Sequence, residues 1–203
     1  VTNPPIDPFR EKVVMSLQCP IGPEGNILQP SPTQVHRLWL KQPVISIADL
    51  EVFKLTNHRG WSSLVIDITF SLSDGVPGFL ARLEAICEEA EKASYNNQIL
   101  ILSDRKVGPD RVPISSLLAL GAVHHHLIES RRRMTVALVV ETAEAREVHH
   151  ICVLLGYGAD AICPYLGLEL ASSLRDQGVL DTSLTDEVIY QNYAQAMVTG
   201  ISK

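Results

Sequence analysis

Apolar and polar positions along this chain fall into two regimes, with the change near residue 61. Beyond it lie four short runs of β-branched and aliphatic residues, at 64–70, 99–102, 136–140 and 159–162. The middle two carry no polar break, which is the pattern of parallel strands covered on both faces. Between the runs, apolar residues recur every three or four positions. Leu80, Leu83, Ile86, Cys87 and Ala90 predict a helix over 79–94. Ile114, Leu117, Leu118, Gly121, Ala122, His125 and Ile128 predict another, with Pro113 in its first turn. A third covers 145–155 and closes at Gly156, and two more follow over 166–177 and 186–203. Strand and helix alternating in this way predict right-handed βαβ units and a parallel sheet. Four strands are too few for an eight-fold barrel. The expected fold class is therefore α/β: a mainly parallel βαβ sheet resembling an incomplete (β/α) barrel, preceded by an irregular Pro-rich N-terminal arm.

That arm follows from the first regime. Pro4, Pro5, Pro8, Pro20, Pro23, Pro30, Pro32 and Pro43 fix φ and lack a donor, so long regular elements are not expected there. Phe9, Val13, Val14, Met15, Leu17, Leu38, Trp39 and Leu40 are nevertheless expected to bury, on this domain or on a neighbouring one. The reading is a single domain over 1–203, with the irregular arm at 1–60, the βαβ core at 61–175 and a helical lead into a next domain at 176–203. The chain opens on Val1 without Met, and its last helix still reads amphipathic at Lys203. Both features predict a piece of a longer polypeptide.

Composition narrows the function classes. The 203 residues are 46% apolar with a net charge of −6, values of a globular domain able to build a core and not of a disordered chain. The pI near 5.6 gives no electrostatic footprint for nucleic acid, and the only basic run is Arg131-Arg132-Arg133. No apolar stretch has the length of a membrane span. Cys19, Cys87, Cys152 and Cys163 are scattered, with no Cys-x-x-Cys pair, which suits a reducing, intracellular and cytoplasmic setting. Cys87, Cys152 and Cys163 sit among apolar neighbours and read as small core residues.

Ligands of parallel α/β sheets sit outside the carboxyl ends of the strands. Three predicted strand ends carry polar groups: Asp67 with Thr69, Ser103-Asp104-Arg105, and Glu141-Thr142. Such a cluster suits anion binding or acid–base chemistry. The competing reading, which the residue types favour, is that Asp104 and Arg105 fix the loop 103–111 by hydrogen bonds and ion pairs. His124-His125-His126 does not converge on one ion, because consecutive helical side chains point about 100° apart. His125 and His149 fall on the apolar stripes and are expected in core or interface hydrogen bonds. The sequence has no Gly-x-Gly-x-x-Gly, no Gly-Lys-Ser/Thr loop and no Gly-x-Ser-x-Gly elbow.

Read together, the motifs resemble one family. The opening Val1-Thr2-Asn3-Pro4-Pro5-Ile6-Asp7-Pro8-Phe9-Arg10-Glu11 resembles the start of the central domain of glutamate synthase large subunits. The resemblance continues at Val14-Met15-Ser16-Leu17, Asp67-Ile68-Thr69-Phe70, Leu102-Ser103-Asp104-Arg105, Gly121-Ala122-Val123 and Val140-Glu141-Thr142-Ala143. Arg146, His149-His150, the stretch from Leu154 to Ile162, Pro164-Tyr165-Leu166, and the end from Asn192-Tyr193 to Lys203 complete an end-to-end match.

The resemblance implies an enzyme that moves the amide nitrogen of glutamine to 2-oxoglutarate and reduces the iminium, giving two glutamates. It implies a glutaminase domain before this segment and a domain binding FMN and an iron–sulfur cluster after it. The central domain joins the two and helps shape the ammonia tunnel between them. On this reading the segment holds no catalytic, cofactor or metal residue of its own, takes no small-molecule ligand, and has the flanking domains of the same chain as partners. Asn3, Pro4, Pro5, Asp7, Arg10, Glu11, Ser103, Asp104, Arg105, Glu141 and His149 are the candidates for interdomain or tunnel contact. The alternatives are an independent flavin- or phosphate-binding partial-barrel enzyme and an interaction module acting in trans.

Overall fold

A computed structural model describes residues 15–203 of the chain. In chain order its elements are β1 (Cys19–Ile21), β2 (Leu38–Leu40), α1 (Ile47–Lys54), β3 (Ser63–Asp67), β4 (Thr69–Ser71), α2 (Gly75–Ala93), β5 (Ile99–Ser103), β6 (Arg111–Pro113) and α3 (Ser116–Glu129). There follow β7 (Ala137–Glu141), α4 (Val148–Gly156), β8 (Ala161–Cys163), α5 (Tyr165–Asp176) and α6 (Asp186–Ile201).

The four apolar runs form one parallel sheet in the order β3-β5-β7-β8, as the βαβ pattern predicts. Every residue of β5 and β7 is buried, because these two strands are central and covered on both faces. On one face, Ile66, Leu100, Leu102, Leu138, Val140 and Ile162 pack with residues of α2, α3, α4 and α6. On the other, Ile99, Ile101, Ala137, Val139, Ala161 and Cys163 pack with Ile21 of β1, Leu50 and Phe53 of α1, and Tyr165 of α5. The β1–β2 hairpin and α1 thus cover the face that further strands would enclose in a closed barrel.

Several boundaries differ from the sequence reading. The run at 64–70 breaks at Ile68: β3 stays in the parallel sheet, while β4 turns out to pair antiparallel with β6. Pro113 ends β6 instead of opening a helix, and α3 begins at Ser116. Its buried stripe is accordingly Ser116, Ala119, Leu120, Val123 and Leu127. This shift overturns the placement of His125, which is exposed, as is His149 in the first turn of α4. α3 is apolar on most of its surface, so its periodicity supports two phases and only its true start selects one. The histidines that bond are the flanking ones: His126 Nε2 lies 2.6 Å from Glu91, and Arg133 Nε donates to His124 Nδ1 at 2.9 Å.

Between residues 15 and 60 the chain is more regular than proline content suggests. α1 starts with a capping box in which Ser46 accepts from the Asp49 amide at 3.0 Å while Asp49 accepts back from Ser46. Of the apolar residues expected to bury there, Leu17 and Leu40 are partly covered. Met15, Leu38 and Trp39 stay exposed within this chain, Trp39 by 65%. Met15, Leu17, Trp39 and Leu40 line a cavity of about 1290 Å³ between the hairpin and α6. Phe9, Val13 and Val14 lie outside the described residues.

Candidate functional site

Register brings the last residues of the four strands into one row. Asp67 is the neighbour of Ser103, Ser103 of Glu141, and Glu141 of Cys163. The row just below is wholly apolar: Ile66, Leu102, Val140 and Ile162. The polar groups read from the sequence therefore do converge, at the carboxyl edge of the sheet where such folds place their chemistry.

Glu141 is the centre of this row and only 1% exposed. Ser103 Oγ donates to its Oε2 at 2.7 Å, and Lys54 Nζ donates to Oε1 at 3.1 Å. Arg105 Nε forms an ion pair with Oε1 at 3.3 Å. Both cations reach outward to a second carboxylate, Lys54 to Glu51 at 2.8 Å and Arg105 to Glu169 at 2.7 Å. Arg105 also stacks its guanidinium over the Tyr165 ring at 4.1 Å. Burial acts to lower the Lys54 pKa, but the hydrogen bonds that Lys54 donates to Glu51 and Glu141 overcome it and raise the value. The ammonium is thereby held in its charged form.

Asp104 is 2% exposed, and its Oδ2 accepts from Thr142 Oγ1 at 2.9 Å and the Ala143 amide at 2.8 Å. Its Oδ1 is buried without a hydrogen bond of ordinary geometry. Burial is the largest influence on this carboxyl and raises its pKa, against the lowering by Ala143, Tyr165 and Thr142. Asp67 takes the opposite course. Burial would raise it, but the Thr69 hydroxyl and amide, with the Arg111 guanidinium, hold it below the usual carboxylate range. Arg111 Nη2 donates to Asp67 Oδ2 at 2.9 Å and Arg111 Nε to Thr69 Oγ1 at 2.8 Å. These bonds clamp the β4–β6 ribbon onto the end of β3.

The arrangement uses its charges on itself. Of the two readings of the strand-end groups, the structure gives the fixed polar loop: Asp104 and Arg105 tie the loop 103–111 to β7 and α5. Sequence reasoning missed Lys54, Tyr165 and Glu169, which close the cluster. The first lies on α1, and the Ser46-Ile47-Ala48-Asp49 capping signal was available to find it. Among the sequence candidates, Ser103, Asp104, Arg105 and Glu141 come together, whereas His149 lies apart from these bonds on α4. Asn3, Pro4, Pro5, Asp7, Arg10 and Glu11 lie outside the described residues.

A second polar cluster braces the opposite end of the sheet. Arg133 bonds Gly158 O at 2.8 Å and Asp160 Oδ2 at 3.1 Å in addition to His124, and Asp160 accepts from the Leu138 amide at 2.7 Å. Gly158 sits at φ +109° with a Cβ position that would run into the His124 ring, so glycine is required there. The His124 pKa is lowered, first by burial and then by the Arg133 and His125 charges. A histidine depressed in the folded state stabilises it above the unfolded pKa, near 6.5, and loses that contribution as pH falls below it. Thermal melts are accordingly expected to shift down between pH 7.5 and 5.5, and His124→Gln is expected to reduce that shift. An identical pH dependence in the variant would contradict this assignment.

Fold and site together define a four-stranded parallel α/β domain whose polar strand end is locked by its own ion pairs. Over residues 1–203 the chain matches the family described as the glutamate synthase central domain, and it belongs to that family. It is 46% identical, over its whole length, to glutamate synthase (NADH) of Schizosaccharomyces pombe, of which it covers 10%. It is 42% identical to the glutamate synthase (NADPH) large chain of Bacillus subtilis and 41% to the ferredoxin-dependent, chloroplastic glutamate synthase of Spinacia oleracea, covering 13% of each. The chain thus spans between a tenth and a seventh of these relatives' lengths. Among the described residues, no helix is long and apolar enough to cross a membrane.

Proposed function

We propose that this domain carries no catalytic residue and serves as a joint within a longer glutamate synthase. It links a glutaminase domain to a synthase domain that holds FMN and an iron–sulfur cluster, and it helps shape the path of ammonia between them. The parent enzyme hydrolyses the amide of glutamine, adds the released ammonia to 2-oxoglutarate, and reduces the iminium to glutamate. Ammonia that escapes into water at neutral pH is protonated and no longer nucleophilic, so a two-site enzyme gains from a sealed path.

The observation that carries the reading is the state of Glu141. It is the most central polar side chain at the strand ends, and it is fully engaged by Ser103, Lys54 and Arg105. A general base needs a free oxygen within reach of substrate. An anion site needs cations not already neutralised, and Lys54 and Arg105 each bridge two carboxylates.

Iron–sulfur ligation uses several thiolates close together, and Cys19, Cys87, Cys152 and Cys163 are scattered along the sequence with no Cys-x-x-Cys pair. The reading therefore gives FMN and the cluster to other domains of the parent enzyme.

The test is coupling in the full-length enzyme. Lys106 is largely exposed and Val107 is exposed on the loop 103–111. Lys106→Glu with Val107→Asp, and separately Pro4→Asp with Pro5→Asp in the arm, are expected to let glutamine consumption outrun 2-oxoglutarate consumption. Unchanged coupling in both variants overturns the reading.

A further inference from the structure

The chain treats the two edges of its parallel sheet differently. At the β8 edge, residues 43–45 run alongside: Ile45 N–H donates to Ile162 O at 2.9 Å, Ile162 N–H donates to Pro43 O at 2.8 Å, and Val44 bridges Ile162 in parallel. Among the described residues, no such segment covers β3. The Ile99 amide bonds Ser62 O at 3.3 Å and the Ile68 amide bonds Ser103 O at 2.9 Å, which turns the even-numbered residues of β3 toward β5. The N–H and C=O of Ser63 and Val65 therefore point outward, without a partner among the described residues. Asp67 O, next along that edge, is capped by the Arg82 guanidinium.

Side chains repeat the asymmetry. Val65 shares a row with Ile101, Val139 and Ala161, all completely buried, yet it is 41% exposed. On the other face, Leu64 lines a groove of about 440 Å³ with Ala85, Glu88 and Lys92 of α2. Natural edge strands are blunted by Pro, Lys, a bulge or a covering element. The stretch Ser63-Leu64-Val65-Ile66 has an apolar sequence and none of these residues.

We propose that the β3 edge receives an additional strand: an extended segment of the same polypeptide from outside these 203 residues, with an apolar side chain seated on Val65. Outward backbone donors and acceptors at strand spacing match another extended backbone. A segment of the same chain reaches them at high effective concentration. The relatives, of which this chain covers 10–13%, extend far beyond the matched part. A second copy is the weaker occupant, because Arg82 takes Asp67 O and leaves only Ser63 and Val65 to pair, too short an edge for a stable symmetric interface. The inference rests on the reading of this domain as a joint in a longer enzyme.

Residue-resolved hydrogen exchange on the full-length enzyme tests it. The Val65 amide is expected to exchange at least about 100-fold more slowly than a solvated amide, and Val65→Lys to abolish that protection. The Leu64 and Ile66 amides face β5 and should stay slow in both, reporting an intact sheet. Where Val65→Lys loosens them, Val65→Thr replaces it and is expected to weaken protection at Val65 alone. A Val65 amide that exchanges freely in the unmodified enzyme overturns the strand, and protection that grows with protein concentration overturns it in favour of a second copy. Free exchange at Val65 in an enzyme whose coupling responds to the loop variants removes the strand and leaves the joint. Slow exchange with unresponsive coupling removes the joint and leaves the strand.

Discussion

Glu141→Ala is expected to lower the stability of the domain by about 3–5 kcal/mol, the usual cost of removing one partner of a buried ion pair. The carboxylate is 1% exposed and receives a hydroxyl and two cations. Its removal strands Ser103 Oγ without an acceptor and leaves Lys54 and Arg105 facing a low-dielectric void. Each cation keeps an outer partner, Glu51 and Glu169, which places the loss toward the lower end of that range. For a chain of this size the melting temperature should fall by about 10 °C. Glu169→Ala is the control, since Glu169 is exposed and such pairs contribute about 0–1 kcal/mol. Urea denaturation of both variants decides. Equal, small losses would mean that the strand-end cluster does not hold the domain together.

Leu102→Ala is expected to cost about 2–5 kcal/mol, the range for truncating a buried leucine where the surroundings close in only partly. Leu102 is completely buried, sits between Ile66 and Val140 in register, and belongs to the cluster shared with α2, α3 and α4. Leu80→Ala on α2 is the informative contrast. The periodicity of residues 79–94 puts Leu80 in the same stripe as Ile86 and Ala90, but it is 53% exposed. Its truncation should cost less than about 0.5 kcal/mol. A comparable loss at both positions in denaturant titrations would contradict the packing described for α2.

These residues also show what the sequence makes legible. β5 and β7 are evident because a central parallel strand is apolar at every position, whichever face is considered. β3 is less so: the run at 64–70 returns to β-branched and aromatic residues after Asp67, and the switch from parallel to antiparallel pairing involves β6, distant in sequence. The phase of α3 is ambiguous in the sequence because nearly every side of that helix is apolar, and Pro113 suits a strand end as well as a helix start. At the strand ends, Asp104, Arg105 and Glu141 stand out by residue type and position. Their partners do not, since Lys54, Tyr165 and Glu169 come from other elements of the chain. Whether a buried carboxylate is free for chemistry or spent on structure is decided by those partners.

Asp104 supplies the most direct test of the claim that this domain holds structure and not chemistry. It is buried, one of its oxygens lacks a hydrogen bond, and its pKa is raised, the features expected of a general acid. Asn keeps an oxygen for Thr142 and Ala143 and removes the charge that burial already opposes. In the full-length enzyme, Asp104→Asn is expected to leave kcat for glutamine hydrolysis and for glutamate formation within about twofold of the unmodified enzyme. A loss of about 100-fold or more in either, the scale of a lost acid–base catalyst, with the fold intact, would contradict the account.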